Sequence, residues 1–222
     1  MGATVALVLS FSAASLAAAG PQVTVRVEGR THTLLAPTKV QTHTGSITIG
    51  GAPKGACPAT SAAGALDVAT QRRFSGPFDH KFNDYFIKTI LGEFESGKSY
   101  FWEVFVDDTA AQAGACALKL HRGEQLLFAA VPASGSSEEP IVLSGPRHGR
   151  AGQAFTVKVV FFNAKGVAKP LSGARVYGAD VSAVTNRRGI ARIDERHPRS
   201  LVLHATPHGY IRAVTLRVSV TR

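Results

Sequence analysis

The chain has 222 residues, with 25 Lys+Arg against 15 Asp+Glu, a formal charge of +10 and 45% hydrophobic residues. This length accommodates one large domain or two ordinary ones, and the apolar share excludes wholesale disorder. Beyond residue 20 no uninterrupted apolar run is long enough to span a bilayer, so no transmembrane helix is expected in the mature chain.

Residues 5–18 are apolar with a few serines, and Ala17-Ala18-Ala19 fits the small-x-small rule of a signal peptidase. Residues 1–19 therefore read as a secretory signal cut after Ala19, although Met1-Gly2-Ala3-Thr4 supplies no positive charge; a buried N-terminal helix is the alternative. The expected location is secreted, extracellular or at the cell surface. Val23, Val25 and Val27 alternate with Thr24, Arg26 and Glu28, the period-two pattern of a half-buried strand. Two cysteines follow, Cys57 and Cys116. An even count in an oxidising compartment argues for a disulfide; a free reactive thiol or half of a metal site is the rival, but neither cysteine lies in a Cys-x-x-Cys. Thr60-Ser61 ahead of Ala62, Ala63, Leu66 and Ala69 predicts an N-capped helix. Residues 85–90 and 100–106 are β-branched and aromatic, so both predict strands, and Asp107-Asp108 predicts a turn. Residues 126–131 complete a first sheet crossed by one helix.

Residues 132–140 are small, polar and bounded by prolines, the composition of a linker between a domain at 20–131 and a second at 141–222. Residues 1–139 hold 11 Lys+Arg against 12 Asp+Glu, and residues 140–222 hold 14 against 3, so the whole positive charge sits on the second half. There, strands are predicted at residues 155–161, 174–177, 181–185, 190–193 and 201–205, with a turn at 186–189 whose Gly189 can take positive φ. In the last run Val214, Leu216, Val218 and Val220 face one way and Thr215, Arg217, Ser219 and Thr221 the other. Short strands at this spacing predict a small β-sandwich.

Two groups of residues are candidate binding sites. Tyr100, Phe101, Trp102 and Phe105 offer an aromatic strand in which Phe101, Glu103 and Phe105 share one face and Trp102, Val104 and Val106 the other. One face is core, and the second is a ligand surface if it is exposed; packing of all of them is the alternative. Arg175, Arg187, Arg188, Arg192 and Arg212, with Arg196 and Arg199 nearby in sequence, offer a basic patch for an anionic wall polymer or membrane surface. A merely solvated arginine-rich surface is the alternative, and no specific nucleic-acid recognition is read. His204 and His208 flank Pro207, which prevents a helical metal pair, and Asp79, Asn83 and Asp84 lack the regular calcium-loop spacing, so no metal is expected. No Gly-x-Ser-x-Gly, His-Glu-x-x-His or phosphate-cradling Gly loop occurs, and no catalytic residue is assigned.

Six stretches carry a resemblance: residues 25–29 (VRVEG), 57–67 (CPATSAAGALD), 90–93 (ILGE), 100–107 (YFWEVFVD), 113–116 (AGAC) and 120–124 (LHRGE). Together they resemble the transcobalamin-like C-terminal domain family, which implies a β-grasp-like α+β fold with one helix. Residues 173–176, 185–191 and 203–210 resemble bacterial immunoglobulin-like or carboxypeptidase-regulatory-like modules, which implies an immunoglobulin-like sandwich. In the cobalamin carriers this front domain caps a corrinoid held by a helical barrel, and no such barrel is read here. The expectation is a mainly β, exported, non-enzymatic binding or adhesion protein of the cell envelope. A purely structural spacer is the first alternative, and binding of cobalamin or another soluble small molecule the second.

Overall fold

The computed structural model describes residues 19–134 and 138–222. The expected signal segment before Ala19 and the centre of the expected linker, residues 135–137, lie outside the described residues. The fold is mainly β, with a single α-helix among the described residues.

The front domain is built on a five-stranded sheet. Its strands are β1 (Ala19–Glu28), β2 (Thr33–His43), β3 (Tyr100–Val106), β4 (Thr109–Ala110) and β5 (Gln125–Pro132). They lie in the order β4-β3-β5-β1-β2. The first and last strands run parallel at the centre, Val25 beside Leu126 and Val27 beside Phe128, and antiparallel hairpins flank them. That is the β-grasp arrangement. The helix α1 (Ala62–Ala69) crosses one face. Ser61 caps it as expected, its Oγ accepting the Gly64 N–H at 3.3 Å. Val23, Val25, Val27, Leu126, Phe128 and Trp102 form the core under the helix. The disulfide joins Cys57, just ahead of α1, to Cys116, between β4 and β5, with the Cα atoms 4.8 Å apart.

The expected strand over residues 85–90 is broken. Asp84–Tyr85 and Thr89–Ile90 pair with different partners, Phe78–Asp79 and Phe74–Ser75, in separate small hairpins. Between them the Phe86 N–H goes to Pro77 O and the Lys88 N–H to Ser75 O. A Cβ on Gly76 would strike the Phe86 carbonyl, so the chain is close-packed here without a continuous ladder.

The second domain is two sheets packed face to face around one apolar core. One sheet holds β6 (Glu139–Ser144), β8 (Phe155–Phe162), β9 (Ala168–Pro170), β12 (Ile190–Ile193) and β14 (Tyr210–Ile211). The other holds β7 (His148–Arg150), β10 (Arg175–Gly178), β11 (Val181–Val184), β13 (Arg199–Ala205) and β15 (Leu216–Thr221). The turn at 186–189 has Gly189 at φ 72°, and it carries the chain from one sheet to the other: β11 pairs with β10, and β12 with β8. In β15, Leu216, Val218 and Val220 are buried and Arg217 and Ser219 exposed, as the alternation predicts, whereas Val214 precedes the strand and is 45% exposed.

Candidate functional site

Trp102 points into the front core and donates Nε1–H to Lys88 O at 3.3 Å. Phe105 is buried on the opposite face, where it packs with Leu127, Ala129, Val131 and, from the second domain, Ile211. Tyr100 is half-buried, with the Arg30 guanidinium 5.6 Å from its ring centre. Phe101 alone of the four expected aromatics is exposed, at 38%. The two-face assignment of this strand therefore matches the geometry, but the second face is mostly covered by the sandwich domain and does not form an open stacking platform.

The reason lies one strand away. Thr24, Arg26 and Glu28 alternate outward on β1 and read as a solvent face, yet Arg26 is 6% and Glu28 2% exposed. Arg212, on the second domain, donates from Nη1 to Glu28 Oε2 (2.7 Å) and to Gly29 O (2.9 Å), and from Nη2 to Arg30 O (3.1 Å). Arg26 donates from Nη1 to Arg212 O (3.1 Å) and to Glu28 Oε1 (3.3 Å). Thr33 Oγ1 completes the shell around the Glu28 carboxylate at 2.9 and 3.0 Å. With Ile211 in the apolar cluster beside it, this network fixes the two domains on each other. Gly166, at φ 69° in the β8–β9 hairpin, adds a close approach: a Cβ there would strike Oγ1 of Thr109 on β4. Arg212, expected in the anion-binding patch, is thus engaged inside the protein.

Beside this junction a partly open cavity of about 410 Å³ is lined by residues of both domains. It is lined by Leu126 and Leu127 from the front sheet and by Ile141, Leu143, Phe162 and Leu216 from the second domain. Thr24, Arg26, Asp108, Gln125 and Arg147 supply polar groups. Asp108 sits in the expected turn, where Asp107 and Asp108 adopt φ 47° and 62°; Asp107 pins it by accepting the Gln125 N–H at 2.9 Å. Burial pulls the Arg26 guanidinium below its ordinary value, against the attraction of Glu28 and Asp108. Burial likewise raises the Asp108 carboxyl, against the attraction of Arg26.

The remaining arginines of the expected patch, Arg175, Arg187, Arg188 and Arg192, are exposed, and among the described residues none pairs with a carboxylate. Arg187 and Arg188 stand on the inter-sheet turn, Arg192 on the outward face of β12, and Arg175 on β10 of the other sheet, so they spread over more than one face. Arg199 is spent internally on Glu195 and Asp180. Among the described residues no cluster of three His, Cys, Asp or Glu could hold a metal ion, and no helix is long and apolar enough to cross a membrane.

Sequence reasoning missed Arg26, Glu28 and the cavity. The unbroken apolar run over residues 126–131 was the available signal, since all six are buried and such a run marks a strand covered on both faces.

A search of curated proteins returned no match to the chain. Residues 65–130, from within α1 into β5, match the family model described as a domain of unknown function, DUF4430, and overlap the stretch that carries the transcobalamin-like motifs.

Proposed function

We propose that the protein is an exported, non-enzymatic binding or adhesion module of the cell envelope, in which the basic second domain holds the front domain at an anionic surface. The observation that carries this reading is charge without internal compensation. Residues 140–222 hold 14 Lys+Arg against 3 Asp+Glu. Among the described residues, Arg199 and Arg212 are the ones of that set in ion pairs with carboxylates. The others are exposed, free to meet phosphate or carboxylate groups on a partner. The disulfide accords with an oxidising compartment. The test is binding of the mature protein to an anionic glycerol-phosphate polymer and to phosphatidylglycerol vesicles as salt is raised. Affinity that falls steeply with salt supports the reading, and affinity indifferent to salt removes it.

A second reading, a structural spacer, draws on the interdomain junction, because a spacer needs two domains held in one orientation. Retention of a small ligand by the native protein in mass spectrometry argues against it. Cobalamin, implied by the front-domain resemblance, is the first compound to add to that assay.

A further inference from the structure

We propose that the cleft between the two domains binds a small apolar zwitterion, an amino acid or dipeptide, with its carboxylate at Arg26, its ammonium at Asp108 and its apolar side chain against Leu127, Phe162 and Val214. Three observations carry this. First, Arg26 is 6% exposed, yet only Nη1 of its guanidinium has a hydrogen-bond partner among the described residues. Arg26 lines the cavity, and its Nε and Nη2 have no hydrogen-bond partner among the described residues. A planar guanidinium with a free edge is the group that takes a carboxylate in two parallel bonds.

Second, Asp108 lines the same cavity, half-buried, with no hydrogen bond or ion pair to its carboxylate among the described residues. Arg26 spends its ion pair on Glu28 instead. Two groups of opposite charge therefore face one space and attract each other, with no hydrogen bond or ion pair between them among the described residues. A simple anion would satisfy one of them and leave the other desolvated, whereas a zwitterion satisfies both. Third, the rest of the lining is largely apolar, and its volume of about 410 Å³ falls in the range of small-molecule sites. Arg147 at the rim adds a second cation, which favours the carboxylate end.

The experiment is calorimetric titration of the full mature protein with the dipeptide Leu-Phe, its N-acetyl form and its C-terminal amide. The expected result is saturable binding of the free dipeptide, weakened about tenfold or more by blocking either end, the loss of one charge-assisted hydrogen-bond set. Asp108→Asn suits the positive φ at this turn, and in this variant acetylation ceases to matter. Val214→Trp, placed at an exposed lining residue, fills the cleft and abolishes binding in a folded protein. Blocked and free peptides binding alike, binding untouched by Val214→Trp, or no saturable binding of any of the three overturns the proposal. Arg187, Arg188 and Arg192 do not line this cleft, so the salt dependence on anionic polymer is read independently.

Discussion

Oε2 of Glu28 accepts a hydrogen bond from Nη1 of Arg212 at 2.7 Å, and the two residues belong to different domains, 184 positions apart. Glu28 is 2% exposed, so its charge is tolerable only because Arg212, Arg26 and Thr33 surround it. This contact ties the two β domains together near the cleft that Arg26 lines.

Removing one partner should be far worse than removing both. Arg212→Met leaves a buried carboxylate short of its main cation and should cost about 3 kcal/mol or more. The double variant Glu28→Met with Arg212→Met should recover part of that loss, because the uncompensated carboxylate is gone and Arg26 keeps the attraction of Asp108. Urea unfolding of the two single variants and the double one measures the coupling.

The disulfide closes a loop with a sequence separation of 59, and the chain-entropy relation assigns such a loop about 4 kcal/mol. Replacing Cys57 and Cys116 together by Ala should lower front-domain stability by up to about that amount. The loss should match that of the wild type unfolded in reductant, which denaturation curves with and without reductant compare directly.

Two carboxyls, half-buried Glu103 and buried Glu195, should answer pH in opposite senses. Burial raises the Glu103 carboxyl, and its Oε2 has no hydrogen-bond partner. The folded state then holds this proton more tightly than the unfolded one, so the group's contribution is intact at acidic pH and is lost as pH rises through the folded value. Glu103→Gln should therefore raise Tm relative to wild type at about pH 8 and leave it unchanged near pH 4. At Glu195, burial pushes upward, but the His197 N–H and the bonds and charge of Arg199 outweigh it and hold the carboxyl below its usual range. Its stabilisation is present above the unfolded value and lost as pH falls through the folded one, so Glu195→Gln should be destabilising at about pH 7 and much less so in acid. Thermal melts across pH read both.

The elements with a strict pattern were legible in the sequence. The helix announced itself by Ser61 and its alanines, the cysteine pair by its even count, and β15 by the alternation of Leu216, Val218 and Val220 with Arg217 and Ser219. The outward face of β1 was not. Alternation of Thr24, Arg26 and Glu28 with valines has the same signature whether the polar side meets water or a second domain with complementary charge. The partner of Glu28 is 184 residues away, beyond any local pattern. The aromatic strand failed as an open platform for the same reason, since a long-range contact with Ile211 decides the exposure of Phe105. Residues 86–88 departed from the expected strand because hydrogen bonds to Pro77 and Ser75 outcompeted a continuous ladder.

The proposed attachment to an anionic surface rests on exposed arginines without internal partners, and its most direct test compares wild type with the Arg187→Ala, Arg188→Ala, Arg192→Ala triple variant on a glycerol-phosphate polymer over a salt series. The account predicts that log affinity falls linearly with log salt for the wild type, and that the triple variant binds more weakly with a shallower slope. Identical slopes for the two proteins, or an affinity that salt does not change, would contradict it.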